Sequence, residues 1–267
     1  MEIEEVRNLG RELRARLGLR TYPVGIKFCG EDCDVSRFKR PQDFGVHMAV
    51  CQVINNVRRH GKPIAFKLED MFCMVGAYIY GLVPEYPEYL LGEVFKWHTS
   101  SEEVKNFLVL KLQEKALPQG SIKAVVVTPL ETAEVVPDVA VIYGTPTQIS
   151  AIAKALIWHG IFPEISSNWS FGCSAAVGAY RSKRPHVSIP SSGEVVWGWS
   201  EEDEVSVSLP VEHLEKILTG LENIKRIYPY PPARFMLYEP LAPRGYRITY
   251  KDYLEWKKSR EEKNLKP

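Results

Sequence analysis

The chain is short of cysteine, of excess charge of either sign and of long apolar runs, and each shortage excludes something. Five cysteines in 267 residues are too few for a disulfide scaffold, and an odd number cannot all pair internally. With 34 Lys plus Arg against 33 Asp plus Glu, the net charge is +1. A protein that coats nucleic acid or an anionic membrane needs a basic excess, so neither partner is expected. No window approaches the roughly 18 consecutive apolar residues of a membrane helix. The start Met1-Glu2-Ile3-Glu4-Glu5 has neither the basic end nor the apolar stretch of a secretory signal. The expectation is a cytoplasmic protein with mostly reduced thiols. No Walker A sequence occurs, and the small-residue stretch 172–178 is not G-x-G-x-x-G with its acidic companion. Lys/Glu/Arg-rich helices and 19 Pro lean towards a thermophile.

What is present reads as alternating helices and strands. Ile3, Val6, Leu9, Leu13 and Leu17 form one helical stripe. A strand is expected over 24–28, then a loop, and a helix over 44–60 closed by Gly61. A strand over 64–68 and a short helix over 69–80 containing Cys73 follow. Ser100-Ser101-Glu102-Glu103 has a capping-box arrangement and opens a helix to about residue 117. Ala124-Val125-Val126-Val127 and residues 139–143 are unbroken apolar runs, as in strands buried on both faces. Helices are expected over 145–159, 173–180 and 210–220, the last ending at Gly220, and strands over 186–189, 195–199 and 205–209. Such alternation specifies an α/β fold with a mixed sheet flanked by helices. Residues 1–225 form its domain. Residues 226–267, rich in Tyr and Pro and closing on a charged helix over 251–263, read as an extended C-terminal arm, packed on its own domain or on a dimer mate, or docking another protein.

The two halves resemble each other. His60-Gly61, Pro63-Ile64-Ala65-Phe66, Cys73 and Gly76-Ala77-Tyr78 are matched by His159-Gly160, Phe162-Pro163-Glu164-Ile165, Cys173 and Gly178-Ala179-Tyr180, about a hundred residues later. An internal repeat spanning about residues 20–82 and 135–190 is the expectation. It would set Cys73 and Cys173 in equivalent positions, facing each other or one cleft across a pseudo-twofold axis, the kind of junction that small-molecule sites favour.

Cys51-Gln52 in a helix, Cys73 with Gly76-Ala77, Gly144-x-Pro146-x-Gln148, Cys173 among small residues, Val187-Ser188-Ile189-Pro190 and Glu202-Asp203-Glu204 before a strand together resemble the DUF169 family of archaeal and bacterial proteins, over about residues 20–225. The resemblance implies no particular activity. It does imply that Cys51, Cys73 and Cys173 belong to the shared pattern, and that this chain carries Ser191 where family members often have a further cysteine. Three thiols on different elements suit an iron–sulfur cluster or a thiolate-bound metal ion with one position left open. Two alternatives stand beside that: buried cysteines acting as small hydrophobes, and a catalytic or redox thiol.

Other candidates are weaker. His47 stands four residues before Cys51, a spacing that would put it on the same helical face as a fourth ligand. Gly144, Pro146 and Gln148 surround a helix start that offers amides to an anion. Together with Trp197 they mark a possible cleft between the halves for a metal-free ligand. The acidic run 201–204 after Trp197-Gly198-Trp199 reads as a solvated turn. Cys29 and Cys33, in an acidic loop that disfavours thiolates, read as a local disulfide or two surface thiols.

Overall fold

A computed structural model describes all residues except 32, 86–93, 166–171, 227, 232–247 and 263–267. It divides into two units, residues 1–223 and 224–267.

The first unit is built on a seven-stranded mixed sheet of order β2-β3-β1-β4-β7-β6-β5. Its strands are β1 (Val24–Cys29), β2 (Ile64–Phe66), β3 (Ala124–Pro129), β4 (Val139–Gly144), β5 (Glu164–Ile165), β6 (His186–Ser188) and β7 (Val205–Pro210). Neighbours are antiparallel except for the parallel pair β5–β6. The unbroken apolar runs have a direct cause: β3 and β4 are buried at every position, the sheet being covered on both faces, with Val35 and Phe38 of the loop after β1 packing on Ala124 and Val126 of β3. One face packs Val125, Val127, Val139, Val141 and Tyr143 into a core shared with α2 (Val50–His60), α3 (Met74–Ile79), α4 (Glu102–Lys115) and α6 (Ser174–Ser182). Elsewhere in the unit, α8 (Leu214–Ile224) meets α5 (Pro146–Trp158) at backbone distance, Gly220 lying against Ala155, and Gly10 of α1 (Ile3–Leu17) lies against Leu130 and Glu131. Among the described residues no helix is long and apolar enough to cross a membrane.

The α/β class and mixed sheet are as expected from the sequence, with local corrections. Residues 45–49 are not helical: a short 3-10 turn ends at Phe44, Gly45 turns the chain at φ 68°, and α2 begins at Val50. His47 therefore stands outside the helix, exposed, and shares no helical face with Cys51. The strand expected over 195–199 does not form: its first two residues end a helix, α7 (Ser192–Val196), opened by the capping box of Ser191 and Glu194, and a turn follows. Helix α8 runs on through Gly220 to Ile224.

The repeat has a counterpart in element order, β1-α2-β2-α3 followed by β4-α5-β5-α6, with β1 and β4 paired antiparallel inside the sheet. Strand pairing does not follow it. β2 joins β3 antiparallel, whereas β5 joins β6 in parallel. The likeness in order is thus not carried through the topology, and duplication is not established.

In the second unit, α9 (Tyr250–Glu262) stacks Tyr250, Tyr253 and Trp256 along one side. Most of the Tyr/Pro-rich stretch expected to form the arm, 232–247, lies outside the described residues.

Candidate functional site: a cysteine-lined cavity

Cys51 is the second residue of α2, and Cys73 and Cys173 are the N-cap residues of α3 and α6. The core packing of those three helices brings the cysteines, distant in sequence, to the wall of one cavity of about 480 Å³. Ser191 and Glu194, the capping pair of α7, complete its polar side. Phe72, Met74, Val75, Val196 and Trp197 make the apolar walls. Two of the lining rings, Phe72 and Trp197, are exposed at the surface and meet edge to face with ring centres 5.6 Å apart.

The thiols sit in surroundings that favour the protonated form. Burial pushes Cys51 up to about 12, with the nearby Cys73 and Glu194 adding to the effect. Its Sγ donates to the Gly193 carbonyl at 3.4 Å. Burial likewise raises Cys73, although the Gly76 and Val75 amides at the start of α3 pull the other way. Cys173 lies well above the usual thiol range, through burial first and then through Cys51 and Cys73. In the metal-free protein these are thiols, and any ligand that needs thiolates must displace their protons. Among the described residues no three His, Cys, Asp or Glu side chains stand close enough to form a ready site for a single metal ion.

A buried polar chain backs the cavity. Glu194 Oε1 accepts from the Tyr143 hydroxyl at 2.7 Å, and Oε2 accepts from the Ser191 amide at 2.8 Å. Burial raises the Glu194 carboxyl above its ordinary value, against these two bonds and the positive charge of Arg58. The Arg58 guanidinium lies 4.2 Å over the Tyr143 ring and donates twice to Glu204, at 2.7 Å each. Arg58 also donates to Asn55, whose amide donates to the Cys51 carbonyl at 3.0 Å. Gly172, next to Cys173, admits the Glu194 carboxylate where a Cβ would collide with it.

The family model DUF169, described as uncharacterised ArCR, matches residues 12–220. The chain belongs to the DUF169 family. An uncharacterised protein of Methanocaldococcus jannaschii is 24% identical over 233 residues, covering 85% of this chain and 98% of the relative. No solved structure matches.

Of the residues singled out from the sequence, this DUF169 protein brings Cys51, Cys73, Cys173, Ser191 and Trp197 together at the cavity. Gly144, Pro146 and Gln148 do not line it. They cap α5, where Gln148 accepts from the Thr145 amide at 2.7 Å and donates to the carbonyls of Leu17 at 2.9 Å and Gly18 at 3.1 Å. That leaves the Gln148 side chain occupied in tying α1 to α5. Cys29 and Cys33 form a disulfide. The acidic run is an exposed turn at 201–203, as expected, with Glu201 paired with Arg59 at 2.7 Å and Asp203 with Arg20 at 2.6 Å, but its last residue, Glu204, is buried against Arg58.

Sequence reasoning missed Glu194, Tyr143 and Arg58. The first was within reach, since Ser191-x-x-Glu194 is a capping-box signature. Tyr143 hides in an apolar strand, and Arg58 in a helix end where cations are ordinary.

The Cys51 shift gives a first prediction. Raising a thiol from 9.0 to about 12 lowers its thiolate fraction at pH 8 about a thousandfold, tenfold per unit. Carboxamidomethylation of Cys51 at pH 8, followed by peptide mass spectrometry, should be at least about a hundredfold slower than that of a cysteine in an unstructured peptide. A rate matching the peptide would mean the thiol is not enclosed.

Proposed function

We propose that this DUF169 protein binds an iron–sulfur cluster through Cys51, Cys73 and Cys173, and uses it in redox or small-molecule chemistry in the cytoplasm. One observation carries the reading: three cysteines separated by 22 and 100 residues in the chain border a single cavity, with Ser191 beside them. A cluster fits better than a single ion. One ion draws sulfurs to about 2.3 Å from a common point, and the described residues hold no group so gathered. A cluster takes thiolates around its periphery, so it suits sulfurs set around an open space. When bound, it supplies electron transfer or an iron with a free coordination position. The chain's own residues supply three soft donors, exclude water with the apolar walls, and place Ser191 and Glu194 on the side left without a thiolate.

The test is anaerobic reconstitution of the full chain with ferrous iron and sulfide, read as iron content and visible absorption. The wild type should take up iron and turn brown. Alanine at Cys51, Cys73 or Cys173 should each cut retained iron about tenfold, and Ser191→Cys should slow iron loss to chelators by offering a fourth thiolate. Colourless, iron-free protein, or a Cys73→Ala variant that retains full iron, would refute the assignment. Because three protons must leave, retention should strengthen from pH 6 to pH 9.

A further inference from the structure

We infer that the cysteine cavity receives an uncharged, apolar small molecule against the Phe72 and Trp197 rings and excludes anions. The inference builds on the reading of this cavity as the working site, but does not depend on iron being present.

Its volume, about 480 Å³, lies within the roughly 300–1,000 Å³ of small-molecule sites. Among the described residues no Lys or Arg lines it, and Glu194 and His98 are its only ionisable side chains besides the thiols. Residues 86–93 and 166–171, which adjoin Val94 and Gly172 in the chain, contain no Lys or Arg either. An anion entering here loses its hydration and meets no Lys or Arg, which is costly; among the described lining residues His98 is the one side chain able to carry positive charge. Arg58 is no substitute: it is fully buried and turned to Glu204 by two hydrogen bonds. If Glu194 is ionised it repels the anion, and if protonated it still offers no charge to pair with it. The apolar walls reward the opposite kind of ligand. Phe72 and Trp197 are each 46% exposed, large rings that line the cavity and stay at the surface, where an apolar molecule would cover them.

The test uses two probes with one ring skeleton, neutral N-phenyl-1-naphthylamine and anionic 1-anilinonaphthalene-8-sulfonate. Each is added to reduced, iron-free, full-length protein at pH 8.5, and alkylation of Cys73 by iodoacetamide is followed by peptide mass spectrometry. At a concentration that saturates its fluorescence, the neutral probe should slow Cys73 alkylation at least about fivefold, a population shift of roughly 1 kcal/mol. The sulfonate at that concentration should leave the rate unchanged. Trp197→Ala should weaken the neutral probe's protection, with the fold retained by circular dichroism. Equal protection by both probes, or none by the neutral one, would overturn the inference. Probe bound elsewhere on the surface changes fluorescence but not Cys73 alkylation, so alkylation decides. The iron-free assay also separates the two proposals: selective protection in protein that never takes up iron would leave this inference standing and remove the cluster.

Discussion

Glu204→Ala is expected to destabilise the first unit by about 3–5 kcal/mol, the usual cost of removing one partner of a buried ion pair. The reason is what remains. The Arg58 side chain is 0% and that of Glu204 2% exposed, and without the carboxylate the guanidinium keeps its charge in a place water cannot reach. Thr21 and the Tyr143 ring still touch it, at 3.2 Å and 4.2 Å, but neither is an anion. Replacing both charges, as Arg58→Met with Glu204→Leu, should recover most of the loss, because apolar groups of similar size often replace a buried pair at little cost. Urea denaturation of the wild type and the two variants at pH 7 checks this. A loss under about 1 kcal/mol for Glu204→Ala would mean the pair is reached by solvent. The pH dependence has a defined sign. Burial pushes Glu204 up, but its hydrogen bonds with Arg58 and the Arg58 charge outweigh that and hold it below 4.5. The stability it contributes is then complete above the unfolded value near 4.5 and lost as pH falls through the lower folded value. Glu204→Ala should lack that part of the acid limb.

The same pair shows what the sequence does and does not reveal. Glu201 to Glu204 reads as surface by every local criterion, since four consecutive acidic residues are hard to bury. Their partners Arg20, Arg58 and Arg59 lie about 140–180 positions away, and nothing in local pattern announces a pairing of that range. Elements fixed by local pattern were legible: the runs 124–127 and 139–143, the caps Gly61 and Gly160, the α4 and α5 starts. Failures came where two local signals compete. Val195 to Trp199 has strand-forming side chains, but Ser191 and Glu194 satisfy the free amides of a helix start, and the helix forms. At the site, family likeness grouped Cys51, Cys73 and Cys173, and the fold brings all three to one cavity. Its enclosure, by Glu194 and two aromatic rings from different loops, depends on packing of elements that no short window contains.

Gly220→Ala should cost about 2 kcal/mol, although alanine is the better helix former by about 1 kcal/mol. From the sequence Gly220 reads as a helix stop. In the structure α8 passes through it, and the glycine is there because another backbone is. A Cβ at 220 would collide with the carbonyl oxygen of Ala155 and stand 2.7 Å from its carbonyl carbon. Those atoms belong to the main chain of α5, so no rotamer change relieves the overlap. The helices would have to move apart, and overpacking of this kind typically costs 1–3 kcal/mol. Two controls separate the clash from helix propensity. Asn223→Ala, exposed three residues on in the same helix, should be neutral or slightly stabilising. Ala155→Gly should not rescue Gly220→Ala, since the obstructing atoms are backbone and remain. Thermal and urea unfolding of the three variants measure this directly. If Gly220→Ala proved as stable as the wild type, α8 would not approach α5 at backbone distance, and the glycine would need another explanation.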